Sequence, residues 1–201
     1  MKVPTSIDVL NGGEIMLNYK GIVHFENLYK MMFDWLNQRG YRYPGTGDEN
    51  IEDYYGETIL SGGAVKNAWI LWRAEKEDGF FLYQLEIDFQ ILVMGTKEIV
   101  YNDQKIKMNE GEFSLMIRAK MLFDKAELWT KKDSLAKKIL PWVYENQMHK
   151  VFEEKEADLH GQAHELMERV RQFIGLPTSR PLTRTYHPEG GYPQQPETVK
   201  P

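Results

Sequence analysis

The sequence contains no cysteine and no long hydrophobic run. The absence of cysteine from 201 residues excludes disulfides, thiolate zinc sites, iron–sulfur clusters and cysteine nucleophiles. No run of about 18 apolar residues occurs, so the sequence predicts no transmembrane helix. The first residues also lack the apolar stretch of a signal peptide. We therefore expect a cytoplasmic protein, or part of a particle that assembles inside the cell.

An excess of charge of one sign is also missing. The chain has 25 Lys and Arg against 30 Asp and Glu, which gives a formal net charge of −5. This balance argues against binding nucleic acid through bulk electrostatics. Four lysines within residues 131–138 could contact phosphates, but the segment that follows them is rich in glutamate. A nucleic-acid partner is therefore not expected.

Complete catalytic motifs are missing as well. The glycine-rich stretches at residues 45–47 and 61–66 complete neither a P-loop nor a dinucleotide-binding motif. No nucleophile elbow of the GxSxG type occurs. The sequence thus leans toward a protein that is not an enzyme, without deciding the question.

The centre of the sequence has the alternation of β-strands. Apolar and polar residues alternate over residues 80–94 and again over residues 113–123, and a period of two is hard to obtain from a helix. The residues predicted on the apolar face are Phe81, Tyr83, Leu85, Ile87, Phe89, Ile91, Val93, Phe113, Leu115, Ile117, Ala119, Met121 and Phe123. Residues 68–75 predict a further strand, and residues 98–108 predict two short strands. Short turns between these strands indicate an antiparallel meander.

Helical spacing of apolar residues occurs on both sides of this centre. It predicts helices over residues 25–38 and 134–175, the second with a kink or a new start at Pro141. From residue 142 to 174 the second helix would be roughly 50 Å long, against about 30 Å for a small domain. It should bend, break near Gly161, or overhang the sheet with an apolar stripe that needs a partner. The predicted fold is α+β, with an antiparallel meander sheet of about 5–7 strands covered by an N-terminal helix and a long C-terminal helix.

Three segments are predicted along the chain. Residues 1–24 should form an extended arm or a hairpin, because Asn11-Gly12-Gly13 separates two apolar runs. Residues 25–176 should form a single α+β domain. Residues 177–201 hold six of the nine prolines and cannot build a core of their own. Contact with a neighbouring copy or another protein would order this tail, and the candidate interaction residues are Phe173, Pro177, Tyr186 and Tyr192.

Three histidines on the long helix are the candidate metal ligands. His149, His160 and His164 share one helical face. The i, i+4 spacing of His160 and His164 lets two imidazoles meet one metal ion, although the HGQAH motif lacks the glutamate of HExxH and no definite third ligand is present. No cofactor is expected, and zinc or another divalent ion at these histidines is the alternative to a hydrated surface.

Two groups of carboxylates could also carry chemistry. Glu86 and Asp88 lie two apart on one strand face, and Arg118 and Lys120 lie on the polar face of another strand. Cross-strand ion pairing is the expected role, because acid–base catalysis would require that face to be covered. The acidic residues within 48–57 could bind calcium but depart from the EF-hand pattern, so a solvated loop is expected there.

The stretch of residues 69–124 carries Trp72-Arg73, Ile87-Asp88, Lys97-Glu98 and Gly111-Glu112. In these features it resembles a family of small uncharacterised archaeal proteins. The resemblance implies no activity, and it provides no catalytic residues to carry over.

The function predicted from the sequence is association with other proteins. We expect a non-enzymatic structural or interaction protein that self-associates or sits in a larger assembly through its long helix and terminal arms. Its partners would be copies of the same chain or other protein subunits. The alternatives are a module that binds an apolar small molecule between sheet and helix, and a metal-dependent hydrolase centred on His160 and His164.

Overall fold

The computed structural model describes residues 6–10, 13–101, 104–123 and 149–176. These residues form six strands and two helices. In chain order the elements are β1 (Ser6–Asp8), β2 (Ile15–Val23), α1 (Phe25–Gln38), β3 (Glu52–Ile59), β4 (Val65–Asp78), β5 (Phe81–Tyr101), β6 (Gln104–Phe123) and α2 (His149–Phe173). The predicted α+β fold with an N-terminal and a long C-terminal helix is confirmed.

All six strands belong to one antiparallel sheet. Its order is β1-β6-β5-β4-β3, and β2 also pairs with β6. Strands β3 to β6 each pair with the next along the chain, so the predicted meander is confirmed. Of the two alternatives predicted for residues 1–24, an extended arm or a hairpin, the hairpin around residues 11–13 is wrong, because β1 and β2 do not pair with each other and lie one after the other along the same edge of β6. Ser6 pairs with Leu122, and Ile15 pairs with Ile117.

The apolar faces of β5 and β6 form the centre of the core. Of the thirteen residues that the alternation places there, all are buried except Val93, which is 53% exposed. The register of β5 on β6 shifts between Ile91 and Val93, and this bulge turns Val93 outward and brings Met94 inward. The two short strands predicted over residues 98–108 are the ends of β5 and β6.

Both helices cover the same face of this sheet. Phe25 in α1 packs on Phe113 with ring centroids 5.7 Å apart, and Phe152 in α2 packs on Phe81 with ring centroids 4.9 Å apart. The helices are joined by Glu165, whose carboxylate accepts a hydrogen bond of 2.6 Å from Arg39. The sheet therefore has one face covered by helices, called here the helix side, and one opposite face.

Helix α2 ends where the sequence indicates. Gly175 has a φ of +73°, and the N–H of Leu176 donates to the carbonyl of Arg171 at 2.8 Å, which forms a Schellman cap. The helix continues through Gly161 without a break. The predicted helix start near residue 134 and the predicted kink at Pro141 lie outside the described residues.

The apolar stripe of α2 is used inside the chain. Phe152, Leu159, Leu166 and Val170 are at most 3% exposed, while Val151 at the N-terminal end is exposed. The 25 described residues of α2 are about 37 Å long. The predicted overhanging stripe is therefore not present over the described part of this helix.

Aromatic side chains fill the space between α1 and the sheet. The ring centroid of Trp72 lies 4.6 Å from that of Tyr29 and 5.1 Å from that of Phe89. Trp72 is fully buried. This packing leaves little room for the apolar ligand of the alternative prediction in this part of the molecule. Neither described helix is long and apolar enough to cross a membrane.

Candidate functional site

The three candidate metal ligands all lie on α2. The rings of His160 and His164 have centroids 4.4 Å apart, so the i, i+4 spacing does bring these two imidazoles together. His149 lies 11 residues before His160, which is about 16 Å along the helix. Within the described ranges, no group of three or more His, Cys, Asp or Glu side chains is arranged to hold a metal ion. The metal site stays a prediction.

The carboxylates of β5 form the expected ion pairs on the face opposite the helices. Asp88 accepts from Arg73 at 2.7 Å and also from Arg118. Glu86 lies 3.2 Å from Nε of Arg118 and 3.3 Å from Nζ of Lys120. Arg73 was not predicted as a partner in these ion pairs; the register of β4 on β5 places it opposite Glu86 and within reach of Asp88. Each carboxylate thus has two cationic partners.

A partly buried polar chain joins α2 to β5 and to the segment that follows α1. Tyr41 donates to Oε1 of Gln162 at 2.9 Å, and Gln162 donates to Oδ2 of Asp158 at 2.9 Å. Tyr83 also donates to Asp158 at 3.3 Å. Burial, followed by the charge of Asp158, raises the pKa of Tyr41 and of Tyr83 above the ordinary tyrosine value. Both phenols therefore stay protonated at neutral pH and act as hydrogen-bond donors.

The acidic stretch expected as a loop is partly an edge strand. Glu52, Asp53 and Glu57 lie in β3, which pairs with β4 on one side only among the described strands. This strand could not be predicted from the sequence, because Tyr54-Tyr55-Gly56 and the surrounding acids give no alternation of apolar and polar residues. The acidic stretch therefore continues as the outermost strand of the sheet among the described residues.

The three carboxylates of β3 are held by tyrosines. Tyr29 donates to Glu52, Tyr43 donates to Asp53 at 2.7 Å, and Tyr55 donates to Glu57 at 2.7 Å. No described lysine, arginine or histidine forms an ion pair with any of these carboxylates, although Glu49 in the preceding loop lies 3.7 Å from Arg42. The negative charges of β3 are therefore hydrogen-bonded but not neutralised by any cation in the described parts of the chain.

The carboxylates of β3 contribute to raised pKa values of their three tyrosine partners. Burial, followed by the hydrogen bond to Glu57, raises the pKa of Tyr55 to about 12. Burial and Glu52 raise the pKa of Tyr29, and the hydrogen bond to Asp53 raises the pKa of Tyr43. A carboxylate that accepts a phenol proton favours the protonated phenol, so the three hydrogen bonds persist at neutral pH.

Large apolar and aromatic side chains are exposed beside these carboxylates. Their exposed fractions range from 42% to 56%, and they lie on β3, on β4 or in the turn between them. We call this set the β3 edge surface: Tyr54, Tyr55, Ile59, Leu60 and Trp69. Tyr54 lies over Gly56, which pairs with Trp69, so the two aromatic side chains are neighbours.

The interaction residues named from the sequence lie elsewhere. Phe173 is half-buried and packs against the chain's own core. Pro177, Tyr186 and Tyr192 lie outside the described residues. Comparison with known proteins finds no family model, no curated protein and no solved structure that matches this chain.

Proposed function

We propose that this chain is a non-enzymatic interaction protein that works as a subunit of a larger assembly. The observation that carries the proposal is the β3 edge surface, where two tyrosines, a tryptophan, an isoleucine and a leucine are each more than 40% exposed. Tyrosine and tryptophan are enriched in protein interfaces, and large apolar side chains exposed along one edge of a sheet offer a contact surface there.

The polar clusters support a role without catalysis. The carboxylates of Glu86 and Asp88 are neutralised by neighbouring cations, and Tyr41 and Tyr83 are protonated donors that fix α2. Groups held in this way are poorly suited to act as a base or a nucleophile at neutral pH. Their geometry fits a rigid scaffold on which a contact surface is displayed.

The described contact surface differs from the one expected from the sequence. The apolar stripe of α2 packs inside the chain, so the proposed contact lies on β3 and β4 instead. A contribution from the tail beginning at Pro177, with Tyr186 and Tyr192, remains part of the proposal. Partners are either copies of the same chain or other protein subunits.

The proposal is tested by the mass of the native assembly. Full-length protein, isolated under native conditions from the cells that produce it, should have a mass by light scattering and native mass spectrometry well above that of one chain. A Tyr54→Ser, Trp69→Ser double variant should shift this mass toward a single chain, because it removes two exposed aromatic anchors. Deleting residues 177–201 should weaken the assembly while leaving the thermal unfolding of the domain in place.

Val100→Ser is the matched control. Val100 is 70% exposed on β5 and lies outside the β3 edge surface, so its replacement removes exposed apolar area without touching the proposed contact. This variant should keep the mass of the wild type. A wild-type mass of one chain at every concentration would contradict the proposal, and so would an assembly that the double variant and Val100→Ser affect equally.

A further inference from the structure

The two edges of the sheet are occupied differently. Along β6, the outer edge is taken by β1 and β2. Along β3, no strand among the described residues occupies the outer edge. An unpaired edge presents main-chain N–H and C=O groups that an added strand can bond. The regular part is Tyr54–Thr58, which pairs with β4 without a register shift and spans about 16 Å.

The side chains of this edge alternate in chemistry between the two faces. Tyr55 and Glu57 pair with the buried residues Ile70 and Ala68, so they lie on the helix side. Tyr54 lies on the opposite face together with Gly56 and Thr58. The helix side of this edge therefore carries the carboxylate of Glu57 beside Tyr55, and the opposite face carries Tyr54, with Trp69 one strand further in.

The charge of β3 selects against a second copy of the same strand. Each copy would bring Glu52, Asp53 and Glu57, and none of these is neutralised by the described cations of the chain. Like charges on paired strands are destabilising, and acidic edge residues are a known guard against pairing of identical edges. A basic strand would instead supply the missing counter-charges.

We infer that the β3 edge binds an extended segment of a partner protein in which lysine or arginine alternates with apolar residues. The basic side chains lie on the helix side, beside Glu57 and Tyr55, and the apolar side chains lie on the opposite face beside Tyr54 and Trp69. Main-chain hydrogen bonds to β3 give affinity, and the alternation gives the register. This inference rests on the proposed function and names the kind of partner that its contact surface accepts.

The test uses full-length protein and synthetic peptides in fluorescence anisotropy. The probe is a labelled nine-residue peptide of alternating lysine and valine, compared with one of alternating glutamate and valine and with a block peptide of the same lysine and valine content. We expect the alternating lysine peptide to bind at least about tenfold more tightly than the other two, with an affinity that falls as salt is added. Methylating alternate amides of the peptide in its two possible sets should abolish binding for one set only, because alternate N–H groups face β3.

Protein variants locate the contact. Glu57→Gln should weaken binding of the lysine peptide by about three- to fivefold, as expected for one exposed charge pair. Glu77→Gln is the matched control, since Glu77 is an exposed carboxylate on β4 away from the edge, and it should change the affinity by less than about twofold.

The outcomes separate this inference from the proposed function. Equal binding of the block peptide would mean attraction to net charge alone and would overturn the inference, as would binding that Glu57→Gln leaves unchanged. If the native assembly still depends on Tyr54 and Trp69 in those cases, the proposed function stands without this partner. A native mass of one chain would remove the proposed function itself.

Discussion

Carboxylates at the centre of the sheet have different partners from carboxylates at its β3 edge. At the centre, Asp88 is only 9% exposed and bonds to two guanidinium groups, those of Arg73 and Arg118. At the edge, Asp53 and Glu57 are exposed and bond to tyrosine hydroxyls, and no cation among the described residues pairs with them. Both regions are rich in carboxylates, but in the described parts of the chain the carboxylates at the centre have cationic partners and those of β3 do not.

Burial accounts for the difference. A carboxylate removed from water must recover its lost hydration from charged partners, and Asp88 does so with two arginines from neighbouring strands. A carboxylate at the edge keeps its water and needs no internal partner. Its field therefore extends outward, where it can attract a cationic group of another molecule. The central ion pairs therefore stabilise the fold, whereas the carboxylates at the edge bond to tyrosine hydroxyls and have no cationic partner among the described residues.

Replacing a glycine should give the largest difference between the two regions in the free energy of unfolding that is lost. A Cβ at Gly111, opposite the bulge in β5, would overlap the carbonyl oxygen of Val93 and lie 2.8 Å from Cα of Met94. Gly111→Ala should therefore force β5 and β6 apart and lower the free energy of unfolding by about 3 kcal/mol or more. Urea unfolding followed by circular dichroism measures the change.

Gly56→Ala is the edge counterpart. A Cβ there would lie 2.8 Å from Cζ of Tyr54, which is the far end of an exposed side chain that can rotate away. The free energy of unfolding should change by less than about 0.5 kcal/mol. If both alanine variants lost similar stability, the close approach of β5 to Gly111 would not be what requires glycine there.

Replacing a carboxylate should give the next largest difference in lost stability between the centre and the edge. Asp88→Asn leaves the guanidinium groups of Arg73 and Arg118 without their shared counter-charge. Breaking a fully buried pair costs roughly 3–5 kcal/mol, and the partial exposure of both arginines reduces the expected loss to about 2 kcal/mol. Asp53→Asn at the edge should stay within about 0.5 kcal/mol of the wild type in the same urea experiment.

A second variant checks that the loss comes from charge. In Asp88→Asn, Arg118 keeps Glu86 as a partner, whereas Arg73 keeps no carboxylate partner among the described residues. Adding Arg73→Gln removes this stranded cation, so the double variant should recover part of the lost stability. A double variant whose losses simply add would mean that Arg73 and Asp88 do not act together.

Alternation predicted the centre of the fold well because it reports burial directly. Twelve of the thirteen residues assigned to the apolar face of residues 81–123 are buried, and Val93 fails because a bulge adds one residue to β5. No local signal in β5 marks the bulge. The pairing of β1 and β2 with β6 was also hidden, because Asn-Gly-Gly favours a hairpin locally while the 20-residue length of β6 accommodates two short strands in succession.

The β3 edge could be predicted only in part. Its acidic composition was evident from the sequence, and so was the lack of an EF-hand pattern. That these acids lie on a strand depends on pairing with β4, and their tyrosine partners come from as far away as α1, as Tyr29 shows. Such contacts are set by tertiary structure. The proximity of His160 and His164, in contrast, follows from their i, i+4 spacing within one helix, and their ring centroids lie 4.4 Å apart.

The smallest expected effect is on the acidity of Tyr55 and involves no loss of structure. Burial and Glu57 together raise its pKa to about 12, against about 10 for an ordinary tyrosine. Glu57→Gln removes the charge but leaves the burial, so the pKa should fall toward 10 without reaching it, as measured by the NMR titration of carbon-labelled tyrosine.

The sign of the linked stability follows from the same shift. Because the folded-state pKa is raised, the contribution of Tyr55 is fully present below about pH 10 and is lost as the pH rises through about 12. Glu57→Gln should therefore reduce the alkaline loss of stability relative to the wild type, whereas Glu77→Gln should not. An unchanged Tyr55 titration in Glu57→Gln would show that the edge carboxylate does not act on its tyrosine, and the contrast with the neutralised centre would then rest on Asp53 and Glu52 alone.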